Sequence, residues 1–222
     1  MIERFGNFNV CYRKGTVDEN VIRDTFGMNA FLGHIWDSYI PKTDHVVIDV
    51  GAHIGIFTLQ LSEMVKTVYS IEACEETFRF LCTNMFMNGV KNVSAHCLAL
   101  SESNGECFLF HDSGSWGHST VKSFTGAGEG VKCSTLKDFM YGNSIQKCDF
   151  IKFNCEGAEF PVILSSSAET LRKIDNFLVL YHNDLWTKNS YEDLLTHFKD
   201  CGFSTKTFNQ TEARGWMFAK RE

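Results

Sequence analysis

Apolar positions along this chain alternate between two periods. Residues 46–50 (Val-Val-Ile-Asp-Val) form a short β-branched run, the pattern of a strand buried on both faces. The run enters a glycine-containing turn, and Phe57, Leu59, Leu61, Met64 and Val65 then follow at helical spacing. Residues 68–71 predict a second buried strand, tipped by Glu72. Residues 75–88 predict an amphipathic helix (Phe78, Leu81, Cys82, Met85, Phe86) closed by Gly89 as its C-cap. Further strands are predicted over 93–98, 149–153, 177–181, 203–208 and 214–220, with helices over 160–173 and 191–201. Ahead of the first buried strand, 5–13 reads as a strand and 18–26 as a helix. Strand, glycine turn, helix and acid-tipped strand make the nucleotide-binding half of a doubly wound, mostly parallel α/β sheet.

The interval from Ala99 to Cys148 is longer than a simple crossover. It contains strand-like pieces (106–110, 131–134) around a Gly- and Ser-rich loop (113–130). An inserted hairpin and lid over the carboxyl end of the sheet is expected, where open α/β sheets bind ligands. No linker, repeat or low-complexity segment interrupts the chain. The expected organisation is one domain over 1–222, with 1–44 as an N-terminal cap.

Composition narrows the class. The 222 residues are 44% apolar and 22% charged, with a net charge of −6. There is no Lys/Arg run or basic stripe to track phosphates, so nucleic acid is not the expected partner. No apolar stretch approaches a membrane span, and the N-terminus lacks a signal-peptide layout. Nine scattered cysteines without a C-x-x-C pair argue against a disulfide framework or structural zinc and for a reducing, cytoplasm-like compartment.

The turn selects the nucleotide. The spacing Gly51-x-x-x-Gly55 lacks the G-x-G-x-x-G that brings backbone against a pyrophosphate. Asp49, just before it, is expected to repel a pyrophosphate and attract the ammonium of S-adenosylmethionine. Glu72 is expected to accept from the ribose hydroxyls.

With these residues in place the chain resembles the FkbM-type S-adenosylmethionine-dependent methyltransferases over about residues 8–220. Four blocks carry the likeness: Tyr12-Arg13-Lys14-Gly15-Thr16-Val17-Asp18; Ile48 to Thr58; Ile71-Glu72-Ala73 with Asn88 to Val93 and Ala99-Leu100-Ser101; and Phe150 to Glu159, similar to a family K-I-D-V-E-G-A-E. The resemblance implies a Rossmann-like Class I methyltransferase fold with S-adenosylmethionine as cofactor. It implies a donor site built from Asp49, Gly51, Ala52, His53 and Gly55, with Glu72, Ala73, Leu100 and Asn154. It also implies methylation of hydroxyl oxygens in sugars, glycans or polyketide-type molecules.

One position departs from the family pattern. Asn154 stands where the family carries Asp, so this side chain hydrogen-bonds but takes no proton. That loss weakens any metal proposal, and no bound metal is expected. It also keeps open a donor-binding module without turnover. His182, at the end of the fifth strand, is the first candidate for the base that deprotonates the acceptor, and Glu156 the second. Glu159 reads as a first-turn helix carboxylate. Trp116 and His118 in the lid are the candidate acceptor contacts.

Overall fold

The computed structural model describes residues 1–26, 38–112, 118–123 and 125–222. The chain opens with a hairpin of β1 (Ile2–Phe5) and β2 (Phe8–Cys11), then helix α1 (Asp18–Phe26). The first half of the central sheet follows as β3 (Val46–Val50), α2 (Ile56–Ser62), β4 (Thr67–Glu72), α3 (Glu75–Met87) and β5 (Val93–Cys97). The long interval holds β6 (Ala99–Leu100), β7 (Gly105–Phe110), β8 (Gly128–Ser134) and α4 (Leu136–Gly142). The second half is β9 (Phe150–Phe153), α5 (Glu159–Ser165), α6 (Ala168–Leu171), β10 (Asn176–His182), α7 (Tyr191–Asp200), β11 (Phe203–Phe208) and β12 (Arg214–Arg221).

The seven-stranded sheet has the order β5-β4-β3-β9-β10-β12-β11. The five strands from β5 to β10 run parallel, and β12 is antiparallel to both its neighbours. Successive crossovers run outward from β3 on one side, then restart beside it at β9. That reversal leaves a crevice beyond the carboxyl ends of β3 and β9, where a ligand fits without meeting a crossover. Both faces of the sheet are covered, which explains the near-continuous apolar runs. Phe139, Phe160, Ile163, Leu194 and Phe198 pack from α4, α5 and α7 on one face. Phe57 and Leu61 of α2 pack with Tyr39 on the other.

The N-terminal hairpin attaches through polar side chains of α3. Asn84 accepts from the Cys11 amide at 2.6 Å and donates to the Cys11 and Ile54 carbonyls, so one buried amide ties the hairpin to the glycine turn. Asn88 brackets Asn9 in the same way.

Several expectations are corrected. The segment 5–13 is not one strand: the chain reverses at Gly6, whose φ of +57° suits glycine, and β1 pairs with β2. The helix expected over 160–173 breaks at Ser166, which is extended with ψ 130°. The Ser166 hydroxyl bonds the Val162 carbonyl, and Ser167 caps α6 through the Thr170 amide, so side chains replace the helical backbone partners. Helix α4 went unforeseen, although Leu136, Phe139 and Met140 have helical spacing and Thr135 caps the Asp138 amide. Within the expected 113–130 loop, β8 already begins at Gly128. It pairs with β7 and β6 in a separate three-stranded sheet.

Candidate active site

A cavity of about 410 Å³ opens at the carboxyl ends of β3, β4 and β9. Its floor is the glycine turn. Gly51, at φ +73°, donates its amide to the Ile71 carbonyl, and Ala52 donates to the same oxygen. A Cβ built on Gly51 would lie 1.9 Å from the Asn154 carbonyl oxygen, so a bare backbone is what lets the turns after β3 and β9 meet. Gly51→Ala is therefore expected to lose donor binding and to unfold at lower denaturant than the parent. An unchanged melting midpoint with unchanged donor affinity would contradict this packing.

Gly51, Ala52, His53, Glu72, Ala73, Leu100 and Asn154 all lie on the cavity wall. Glu72 accepts from the amides of His53 and Cys74, each at 2.9 Å, which clamps the glycine turn to the end of β4. Burial raises its pKa, and the two amides oppose that shift. The Asn154 Oδ1 is buried and has no hydrogen-bond partner among the described residues. An orphaned acceptor, a side-chain-free turn and a carboxylate on the neighbouring strand fit the ammonium, the chain and the ribose of S-adenosylmethionine in turn. Glu72→Ala is expected to weaken donor binding by about 1–3 kcal/mol, read by calorimetry. Equal affinities would remove Glu72 from the donor site.

Two expected donor contacts need correction. Asp49 is fully buried and is not among the described residues lining the cavity. The register sets Asp49 opposite Lys152 on β9, whose Nζ lies 2.9 Å from Asp49 Oδ1, and the Thr58 hydroxyl donates to Oδ2 at 2.8 Å. The carboxylate thus neutralises Lys152, and it is Lys152 that reaches the cavity, also donating to the Gly51 carbonyl at 2.9 Å. A lysine inside a fully buried strand was the available signal, since such a residue survives burial only when paired. Gly55 also lies off the wall. It precedes α2 at φ +84°, and a Cβ there would meet Met85 and Leu81 at 3.0 and 3.1 Å, so its glycine serves helix packing.

His53 occupies the turn at φ +55°, with Nε2 3.3 Å from the buried Asp18. Burial lowers its pKa to about 4, against the pull of Asp18, so the ring is neutral near pH 7. Asp18 is also gripped by Arg13 through its guanidinium and its amide. The N-terminal block thereby closes against the donor turn, and Val17 and Val21 of the same segment line the cavity.

The catalytic candidates exchange places. His182 is fully buried and is not among the described cavity-lining residues. Its Nδ1 lies 2.8 Å and its Nε2 3.4 Å from Glu159 and Glu156 respectively. Burial alone would lower its pKa, but the two carboxylates outweigh that and raise it. Glu159, buried at the start of α5, also accepts from the His182 and Gly157 amides. Glu156 does line the cavity. It sits at φ +52°, a left-handed conformation costly for a residue with a Cβ, and Gly157 follows at φ +98°. Burial raises the Glu156 pKa, opposed by His182 and Arg214. Arg214 Nη1 is 4.0 Å from the Glu156 carboxylate.

Of the two candidate acceptor contacts, His118 is on the wall, and Trp116 lies outside the described residues. Burial lowers the His118 pKa. Ser119 donates its hydroxyl to the Glu156 carbonyl at 2.7 Å, tying this segment to the Glu156-Gly157 turn. Leu180, Arg214 and Trp216 also line the cavity and escaped the sequence reading. They come from β10 and β12, whose pairing of Leu180 with Trp216 no local pattern announces.

Parallel sheet, reversal point and glycine-floored cavity define a Rossmann-like methyltransferase. Residues 49–205 match the family described as Methyltransferase FkbM domain, and the chain belongs to that family, whose methyl donor is S-adenosylmethionine. No curated protein sequence matches it. Among solved structures it is similar to the precorrin-6y C5,15-methyltransferase of Geobacter metallireducens, with TM-score 0.56, 9% identity, and coverage of 96% of this chain and 94% of that one. An rRNA methylase from Streptococcus thermophilus gives TM-score 0.53 and 10% identity, covering 86% and 94%. TrmK of M. capricolum, in complex with S-adenosyl-homocysteine, gives 0.52 and 12%, covering 86% and 66%. At such identities the likeness is one of fold. Among the described residues, no helix is long and apolar enough to cross a membrane.

Proposed function

We propose that this methyltransferase acts on oxygen, transferring the methyl group to a hydroxyl of a sugar or glycan, with Glu156 as the general base. The observation that supports this most is the Glu156 carboxylate on the cavity wall, held by His182 and raised in pKa by burial. An alcohol must lose its proton as the new C–O bond forms, and a positioned base near neutrality serves that step. The bound donor supplies an electrophilic methyl group and leaves as a thioether.

The chain's own residues do the rest. The glycine turn and Glu72 orient the donor, Asn154 accepts from its ammonium, and Glu156 takes the hydroxyl proton and returns it to solvent. In this assignment Asn154 is a donor contact, so its lack of acidity costs the reaction nothing. His182 and Glu159 are positioning residues. His118, Arg214 and Trp216 on the cavity wall offer hydrogen bonds and an aromatic side chain, which suit a polyhydroxylated acceptor. The net charge of −6 and the absence of a basic run favour an acceptor other than nucleic acid.

The test is turnover on hydroxylated acceptors, sugars and polyketide-type alcohols side by side, followed by mass spectrometry for a gain of one methylene. Transfer to sugar hydroxyls supports the reading. Transfer to RNA alone, or donor binding without transfer to any alcohol, would replace it.

A further inference from the structure

A second constellation lies beside the donor wall, in residues the methyl-transfer chemistry does not use. Cys74, His111 and Glu129 present Sγ, an imidazole nitrogen and a carboxylate oxygen that all lie within 4.8 Å of one another. Cys74 is the N-cap of α3, directly after the cavity-lining pair Glu72-Ala73, and it is buried. His111 follows β7, and Glu129 lies on β8 opposite Leu109, so the hairpin register brings both to one edge. His111 Nε2 is 3.3 Å from Glu129 Oε1.

We propose that Cys74, His111 and Glu129 form a binding site for a zinc-class divalent cation that braces the β7–β8 hairpin against the donor strand. Zinc takes sulfur, imidazole nitrogen and carboxylate oxygen together, whereas magnesium and calcium take oxygen sets. Bond lengths near 2.0–2.2 Å put the nitrogen-to-oxygen edge of a tetrahedral site at about 3.3–3.5 Å, and the His111–Glu129 spacing already meets it. Three protein ligands leave one position for water. Burial raises the Cys74 pKa, and the Thr77 amide and hydroxyl oppose that rise; a bound cation would favour the thiolate. The His118 ring lies 4.7 Å from that of His111, tilted 40° to it. Because Leu109 and Ala73 both line the donor cavity, an ion here would stiffen that wall without touching the reacting atoms. Ligands drawn from three separate elements leave no local motif, which is why the sequence leads to a metal-free expectation.

The site is tested on the full chain, stripped with a chelator and titrated with cobalt(II) as a spectroscopic probe for zinc. The expected result is one ion per chain, with a thiolate-to-cobalt charge-transfer band and tight displacement by zinc. Cys74→Ser should abolish the band. His111→Ala and Glu129→Gln, on the hairpin, should each weaken binding at least about tenfold while the far-ultraviolet circular dichroism stays that of the parent. Zinc should also raise the melting temperature of the parent and not of His111→Ala. Failure to bind cobalt, a band that survives Cys74→Ser, or affinity indifferent to His111→Ala would overturn the proposal. None of these readouts depends on the acceptor or on turnover.

Discussion

Glu156→Gln is expected to lower turnover by about 10²–10⁴-fold while donor affinity stays nearly constant. Glutamine keeps the shape and a hydrogen-bond acceptor but cannot take the proton. The pH profile separates this from a structural effect. Burial lifts Glu156 above the ordinary carboxyl value of 4.5, so activity should rise with pH through that elevated pKa as the base ionises. The two carboxylates hold His182 above the ordinary imidazole value of 6.5, so the positive ring persists to higher pH and is lost as pH climbs through its own raised pKa. Removing the cation that lowers Glu156, by His182→Asn, should move the acid limb of the profile toward higher pH, with a smaller loss at the plateau. Turnover that falls more for His182→Asn than for Glu156→Gln would return the base role to the histidine. A Glu156→Gln enzyme of near-parental rate would remove proton abstraction from this site altogether.

The second large effect concerns stability. Asp49→Ala is expected to cost about 3–5 kcal/mol of folding free energy, because it leaves the Lys152 ammonium in a buried site without a carboxylate partner, facing the Gly51 carbonyl and the Phe57 ring 5.7 Å away. It also removes the partner of the buried Thr58 hydroxyl, which keeps Ser70 at 2.8 Å as an alternative. The double change Asp49→Ala with Lys152→Met should recover much of the loss, since the pair is then absent and no charge is left unmatched. Denaturant unfolding of the four proteins closes the cycle. If the double variant is as unstable as the sum of the single ones, the ion pair is not what Asp49 supports. Donor affinity should follow the fold more than the carboxylate itself. A folded Asp49 variant with selectively lost donor binding would reinstate the direct contact expected from sequence.

The contrast between these two acids shows where sequence reading stopped. Asp49 precedes the glycine turn and Glu156 follows the fourth parallel strand, and by position either could face the ligand. The tetrad Phe150-Ile151-Lys152-Phe153 settles the matter only after β9 is laid beside β3, because the register then aims Lys152 at Asp49 and uses up that carboxylate. His182 is drawn away from the cavity wall for a similar reason. Glu159, from the start of α5, folds back onto the end of β10 and holds the ring in the interior. No spacing within residues 177–184 contains that information, whereas the strained φ of Glu156 beside Gly157 belongs to the Cys155-Glu156-Gly157-Ala158-Glu159 turn that the sequence already singled out.

By itself the sequence determined the parallel α/β architecture, the glycine-floored turn, the acid-tipped second strand and the family. These rest on local quantities: β-branched runs buried on both faces, helical spacing, and glycines at positive φ where the chain must turn. Only the tertiary structure decided which carboxylate faces the cavity, which neutralises a buried lysine and which fixes a histidine. The same holds for Cys74, His111 and Glu129, drawn together from a helix N-cap, the residue after β7 and strand β8. The physical reason is that a side chain's charge, partner and exposure are set by groups that strand register and helix docking bring in from distant parts of the chain. A sequence records such groups only as residues far apart.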